Sequence, residues 1–263
     1  MDTCKKVKMD VMSEPEIMLY CEDCLQGMNR VPDKSVDMIL CDLPYGITAN
    51  KKDVPIPLDL LWKQYERVIK DNGAIVLFGQ GKFYIELVMS NLKLFRYDLV
   101  WDKQLTTGFL NANRQPLRRH EQIAVFYKKQ PTYNPIKATG KKAHSRGKAE
   151  NSKNQNYGNF GEFRNETTND KYPTSIINVA KPAPSKQMHR TEKPVAICEW
   201  LIRTYTDEHE LVMDNCFGSG ATAIACMRTR RRFVGFEIDE NYFSTTNVRL
   251  DSEREAINGK EKE

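Results

Sequence analysis

No stretch of eighteen apolar residues occurs anywhere in the 263-residue chain, so the sequence offers no candidate membrane-spanning helix. Met1 to Glu16 has lysines but no continuous apolar segment, and a secretory leader is not expected either. Extreme charge is missing too. A net charge of +5 and a pI of about 8.7 suit a polyanionic partner without reaching the range of purely electrostatic binders. Paired cysteines at metal-binding distance are lacking: Cys21-Glu22-Asp23-Cys24 has no second pair and carries two acids between its thiols, so no metal is expected. The expected setting is cytoplasmic, with reduced cysteines. Cys21, Cys24, Cys41 and Cys216 lie in or beside apolar runs and read as buried strand ends.

With 40% hydrophobic residues the chain can bury one sizeable core, so a single catalytic domain over 1–263 with an inserted region is expected. Short apolar runs recur at Ile17 to Cys21, Val36 to Cys41, Ala74 to Phe78, Tyr97 to Trp101, Ile123 to Tyr127, Leu211 to Met213 and Phe233 to Phe236. Their branched and aromatic content predicts strands buried on both faces. Helical spacing lies between them, at Leu58 to Ile69, Phe83 to Leu92 and Val195 to Tyr205, the last opened by Pro194. Alternation of this kind predicts an α/β fold with a mostly parallel sheet.

From Lys128 to Pro173 the periodicity stops. Ten Lys or Arg stand there against four acids, with Tyr133, Tyr157, Phe160, Phe163 and Tyr172 interleaved. That chemistry suits nucleic acid, and equally describes a solvated loop. The charged tail, Asp251 to Glu263, reads as a helix end running into disorder.

Two loops carry the chemistry. Asp42-Leu43-Pro44-Tyr45-Gly46 follows the second strand, and ligands of open α/β sheets sit at the carboxyl ends of strands. A carboxylate, a backbone carbonyl and an aromatic ring suit one task. The two acceptors, Asp42 and the Leu43 carbonyl, bind both hydrogens of an exocyclic amino group, making its lone pair more nucleophilic and stabilising the positive charge that develops. Tyr45 offers a stacking face to a base swung out of its helix. Read blandly, the same five residues are a turn punctuated by Pro and Gly.

The other loop is Asp214-Asn215-Cys216-Phe217-Gly218-Ser219-Gly220-Ala221-Thr222, followed by a strand ending in Phe236-Glu237-Ile238-Asp239. Glycines allow close approach of a ligand to the backbone, and an acid at the end of the next strand suits ribose hydroxyls. A nicotinamide oxidoreductase fits this pair as well. The absence of a third glycine favours a cofactor with a single nucleoside.

These two loops, with His189-Arg190-Thr191-Glu192-Lys193-Pro194, resemble the DNA amino-methyltransferases that modify adenine N6 or cytosine N4. The order, catalytic loop first and cofactor loop near the C-terminus, resembles their circularly permuted beta subgroup. The resemblance extends over Leu19 to Met28, Val31 to Gly46, Gly73 to Gly81 and Arg119 to Lys128. It implies a Rossmann-like sheet of seven strands, S-adenosylmethionine as cofactor, DNA as partner, base flipping and direct in-line transfer. It implies a catalytic loop of Asp42, Leu43, Pro44 and Tyr45. It implies a cofactor site of Asp23, Cys24, Thr191, Lys193, Asp214, Cys216, Phe217, Gly218, Ser219, Gly220, Ala221, Glu237 and Ile238, with a target-recognition region at 128–173. A homodimer and a companion restriction endonuclease are partner readings it opens.

The chain departs from the family pattern at Leu43, where a proline is usual, at Arg190 to Glu192 in place of Pro-Thr-Gln, and at Asn215, commonly proline. Asp rather than Ser at position 42 favours adenine. Cytosine N4, RNA adenine and a non-catalytic nucleic-acid binder are the alternatives. His120 and His189 read as structural or nucleic-acid contacts, since attack by an amino nitrogen needs no prior proton removal. Trp62, Trp101 and Trp200 read as core. Arg228, Arg230, Arg231 and Arg232, at a helix end, read first as structural.

Overall fold

Six consecutive buried residues, Val36–Cys41, form strand β2, and their alternation divides the core in two. Met38 and Leu40 join one apolar cluster, with Val76, Leu201 and Ile224; Ile39 and Cys41 join the other, with Leu61, Tyr65 and Leu87. A strand apolar on both sides needs helices over both faces, which gives three layers. The one acid within it, Asp37, is buried but served: Lys70 Nζ lies 2.5 Å from Oδ1, and the Leu211 amide donates to Oδ2 at 3.0 Å.

The computed structural model describes residues 15–46, 53–144, 153–154, 158–159, 168–181 and 192–260. Besides β2 the strands are β1 (Ile17–Tyr20), β3 (Ile69–Gly79), β4 (Phe95–Thr107), β5 (Arg118–Phe126), β6 (Ala138–His144), β7 (Lys153–Asn154), β8 (Gly158–Asn159), β9 (Thr168–Lys171), β10 (Ile176–Asn178), β11 (Leu211–Asp214) and β12 (Arg232–Phe236). The helices are α1 (Cys24–Gly27), α2 (Leu58–Val68), α3 (Gly81–Ser90), α4 (Val195–Tyr205), α5 (Ala221–Arg228) and α6 (Glu240–Lys260).

Eight strands form one sheet, in the order β1-β12-β11-β2-β3-β5-β4-β10. Pairing is parallel except at β3/β5 and β5/β4, so the mostly parallel α/β expectation holds. The sheet has one strand more than the seven expected, because β10 is three residues long with only Ile177 buried and offers no run to read. Strand β4 also extends well beyond its predicted Trp101 end, and α6 runs on to Lys260. Among the described residues no helix is long and apolar enough to cross a membrane.

Residues 135–174 form a separate compact unit with two short antiparallel pairs, β6/β9 and β7/β8. Within it Lys137 pairs with Asp170 at 3.5 Å and lies over the Tyr172 ring. Lys128 and Lys129 belong instead to the larger unit, where both pair with Asp71.

Two expectations about side chains change. Cys21 is exposed because β1 ends at Tyr20, and Cys216 is half-buried; Cys24 and Cys41 are buried as expected. Of the arginine cluster, Arg231 is buried and donates to the carbonyls of Thr206 and Thr229, while Arg228 pairs with Glu253 and Glu199. Trp62 and Trp101 are buried, with indole N–H groups bonded to Ser90 and to the Val179 carbonyl, and Trp200 packs partly buried against the core.

Candidate active site

The four strands at one side of the sheet, β1, β12, β11 and β2, are mutually parallel neighbours, so their carboxyl ends line up along one edge. The loops leaving those ends carry, in that spatial order, Asp23 with Cys24, Glu237 with Ile238, Asp214 to Ala221, and Asp42 to Tyr45. All of these stretches line a single cavity of about 860 Å³. Gly220 lies behind it. There a positive φ of 78° and a position against Thr246 admit no side chain, and the glycine sets the turn into α5.

The glycine loop is held by its own carboxylates. Asp214 accepts from the Cys216 amide at 3.0 Å and from the Thr222 hydroxyl at 2.7 Å. Burial pushes its carboxyl up to about 6 despite these bonds. Glu237 accepts from the amides of Gly218 and Asp239 at 3.0 and 2.9 Å, and burial raises its carboxyl also. Asn215, where the family pattern has proline, does more than occupy a turn. Its Oδ1 accepts from the Tyr65 hydroxyl at 2.5 Å, and its Nδ2 reaches the sulfurs of Cys24 and Cys216, tying β11 to α1 and α2. Asp23 caps α1 by accepting from the Gln26 amide at 3.1 Å.

At the other end of the cavity Asp42 Oδ1 accepts from the Tyr45 hydroxyl at 2.7 Å and Oδ2 lies 2.5 Å from Lys193 Nζ. Tyr45 is half-buried rather than standing free, its ring stacked on Phe83 with centroids 4.6 Å apart. Leu43 is buried. Lys193 continues the line: its ammonium is 3.2 Å from Glu121 Oε2, an ion-pair contact rather than an aligned hydrogen bond, and Lys103 reaches Glu121 Oε1 at 3.3 Å. Burial would pull the Lys193 ammonium down, but Asp42 and Glu121 outweigh it and raise it, and the same two lysines hold the Glu121 carboxyl low against the opposing effect of burial.

Lys193, expected beside the cofactor, pairs with Asp42 and lines the same cavity as the glycine loop. Thr191 falls outside the described residues. Sequence reasoning missed Lys103, Glu121 and Lys181, all of which line the cavity. The available signal was charge inside an apolar strand, Lys103 in β4 and Glu121 in β5. Among the described residues no group of three or more His, Cys, Asp or Glu is placed to hold a metal.

Similarity to known proteins runs through the same region. The family described as DNA methylase, of N6/N4 type, matches residues 36–248. The Type II methyltransferase M.HpaI of Haemophilus parainfluenzae is 26% identical over 248 residues, covering 89% of this chain and 74% of the relative. The Type II methyltransferase M1.MboII of Moraxella bovis is 26% identical over 255 residues, covering 87% and 94%. Among solved structures, the M1.HpyAVI-SAM complex superposes with a TM-score of 0.61 at 23% identity, covering 89% of this chain and 98% of that one. The cytosine-N4-specific PvuII DNA methyltransferase gives 0.65 at 14% identity, covering 90% and 88%. At those identities the two structures speak to the fold alone.

Proposed function

The chain belongs to the DNA methylase family of N6/N4 type, and on that premise we propose that it transfers a methyl group from S-adenosylmethionine to N6 of adenine at a specific site in duplex DNA. The observation that carries the proposal is the meeting of two loops, from adjacent parallel strands, in one cavity of about 860 Å³. That volume lies within the usual range for a site enclosing a small ligand.

The residues present fit the cofactor. The Glu237 carboxylate stands at a strand end, where it suits a ribose diol, and Asp214 with the amides of the glycine loop suits the charged amino-acid end. Gly218, at a φ of 50° and with no heavy atom nearer than 4.0 Å to the position of a Cβ, leaves the backbone open to close approach. Bound there, S-adenosylmethionine supplies a methyl group activated by a positively charged sulfur.

The chain's own residues prepare the nucleophile. Asp42 and the Leu43 carbonyl accept the two amino hydrogens of the base, and the negative charge of Asp42 meets the positive charge that grows on N6. A carboxylate has about four lone-pair positions, so the bonds from Tyr45 and Lys193 leave room for that acceptance. The methyl would come from the bound cofactor, whose sulfur would keep the electron pair of the bond given up, while Asp42 and the Leu43 carbonyl hold the amino group until its proton leaves to solvent. The target atom is inaccessible inside a duplex, so the base is flipped into the cavity. The unit at 135–174, with eight Lys or Arg, is the target-recognition region of this proposal. A companion restriction endonuclease and a homodimer belong to it as well, tested by its genomic neighbours and by sedimentation.

The test is transfer of labelled methyl to unmethylated genomic DNA by the native chain and by Asp42→Ala, with nucleoside analysis and modification-sensitive sequencing. N6-methyladenine at one motif, absent with the variant, is the expected result. N4-methylcytosine would move the target to cytosine, label in RNA alone would move it to RNA, and no transfer would leave a non-catalytic binder.

A further inference from the structure

Strands β4 and β5 form a hairpin, and the part of it nearer the turn reaches the cavity through Lys103, Thr107 and Glu121. Thr107 and Arg118 face each other at its last paired position, and Thr107 lines the cavity that contains Asp42. Two and three residues further on, at most about 7 and 11 Å of chain, come Phe109 and Leu110. They are 76% and 84% exposed.

They are the two most exposed large apolar side chains among the described residues, and being adjacent they form a patch that a partner can cover. Their turn is nevertheless ordered by its own bonds: the Asn111 amide donates to the Gly108 carbonyl at 2.9 Å, Ala112 to Phe109 at 3.0 Å, and Arg114 to Asn111 at 2.8 Å. Gly108, at a φ of 87°, allows the sharp entry into it. A bulge between Asp102 and Thr107, where Gln104 adopts a positive φ, bends the strand leading there.

Charge identifies the partner. From Lys103 to His120 the hairpin has four Lys or Arg and no acid. Arg114 and Arg119 are exposed, the latter paired with Asp102. An apolar pair flanked by cations, two and three residues along the chain from Thr107 in the lining of a cleft that must admit one base, matches the chemistry of side chains that wedge between stacked bases while arginines meet phosphates.

We propose that Phe109 and Leu110 insert into the DNA duplex beside the target nucleotide and hold open the space it leaves. The inference rests on the methyltransferase reading above and adds residues to it. The wedge offsets lost stacking, so it matters most when the target base is firmly paired, and least when its partner is missing.

The experiment uses the full chain and two duplexes containing the sequence identified by methylation sequencing, one fully paired and one with an abasic residue opposite the target. The variant is Phe109→Ala with Leu110→Ala, and Arg114→Gln tests the phosphate contact separately. We expect the double variant to lose kcat/KM on the paired duplex by on the order of tenfold or more, with most of the loss recovered on the abasic duplex. S-adenosylmethionine affinity and the elution volume should stay unchanged. Equal losses on both duplexes, or no loss, overturn the wedge alone. So does a change of oligomeric state in the double variant, which would assign the apolar pair to contact between copies of this chain. Inactivity of the native chain on both duplexes overturns the methyltransferase reading, and the wedge with it. Arg114→Gln should weaken binding to both duplexes alike and reduce its salt dependence; an effect confined to one duplex contradicts a phosphate contact.

Discussion

The ammonium of Lys193 lies 2.5 Å from the carboxylate of Asp42, across 151 residues of sequence. It is 10% exposed, and it is also the counter-ion of Glu121. One cation thus keeps two carboxylates compatible at the end of the cavity where the amino group of a base would be bound.

Lys193→Met should therefore cost both stability and rate. Removing one partner from a buried ion pair costs about 3–5 kcal/mol, and the half-exposure of Asp42 puts the expectation at the lower end. Urea denaturation measures the loss. Glu121→Gln in the same chain should restore part of it, because one of the stranded charges disappears; strict additivity of the two substitutions would contradict the shared ammonium.

Tyr45 has two separable contacts, the hydroxyl bond to Asp42 and the ring stack on Phe83. Tyr45→Phe keeps the ring and should change kcat/KM on DNA only a few-fold. Tyr45→Ala removes the stacking face and should cost about 1–3 kcal/mol of transition-state stabilisation. Steady-state methylation kinetics decide, and equal effects from the two variants would assign the role to the hydroxyl.

Asp214 makes a pH prediction. Burial raises its carboxyl from 3.8 to about 6, so the folded protein holds this proton more tightly than the unfolded chain does. Its contribution to stability is complete below about pH 4 and is lost as pH rises through about 6. Asp214→Asn removes that dependence. The unfolding free energy of the native chain, relative to the variant, should fall by up to about 3 kcal/mol between those limits, and a difference that is flat with pH would contradict the assignment.

At Gly220 a Cβ would come 2.4 Å from Thr246 Cγ2, and φ is 78°. Gly220→Ala should lower the melting temperature and weaken S-adenosylmethionine binding, through contact and backbone strain of about 1–3 kcal/mol. Adding Thr246→Ser removes the obstructing methyl while keeping the hydroxyl bond to the Gly218 carbonyl. Partial recovery in a thermal melt is expected; with no recovery, the contact is not the cause.

Much of the larger unit was legible in the chain itself. Strand β2 is a six-residue apolar run, β11 and β12 are runs of the same kind, and the Pro194 start of α4 follows from local backbone preference. These readings depend on neighbours in sequence, which is where period and turn chemistry act. The misreadings share the opposite origin. The three residues of β10 pair with β4 from some 75 positions away, and Cys21 is exposed only because β1 stops one residue earlier. Asn215 stands out in the chain only as a departure from the usual proline, whereas its amide meets Tyr65, Cys24 and Cys216, two of them far away in sequence.

By itself the sequence determined the family and the alternating architecture, and it singled out the two loops on which the proposed function rests, because each is written in contiguous residues. Only the tertiary structure decided that β2 and β11 are adjacent, with Met213 beside Ile39, so that Asp42 and Asp214 open into one cavity. It alone decided that Lys193 pairs with Asp42 and that Phe109 and Leu110 stand uncovered in the turn that follows β4. Strand order and ion pairing are set by which distant surfaces bury one another, and a local pattern carries no record of its partner.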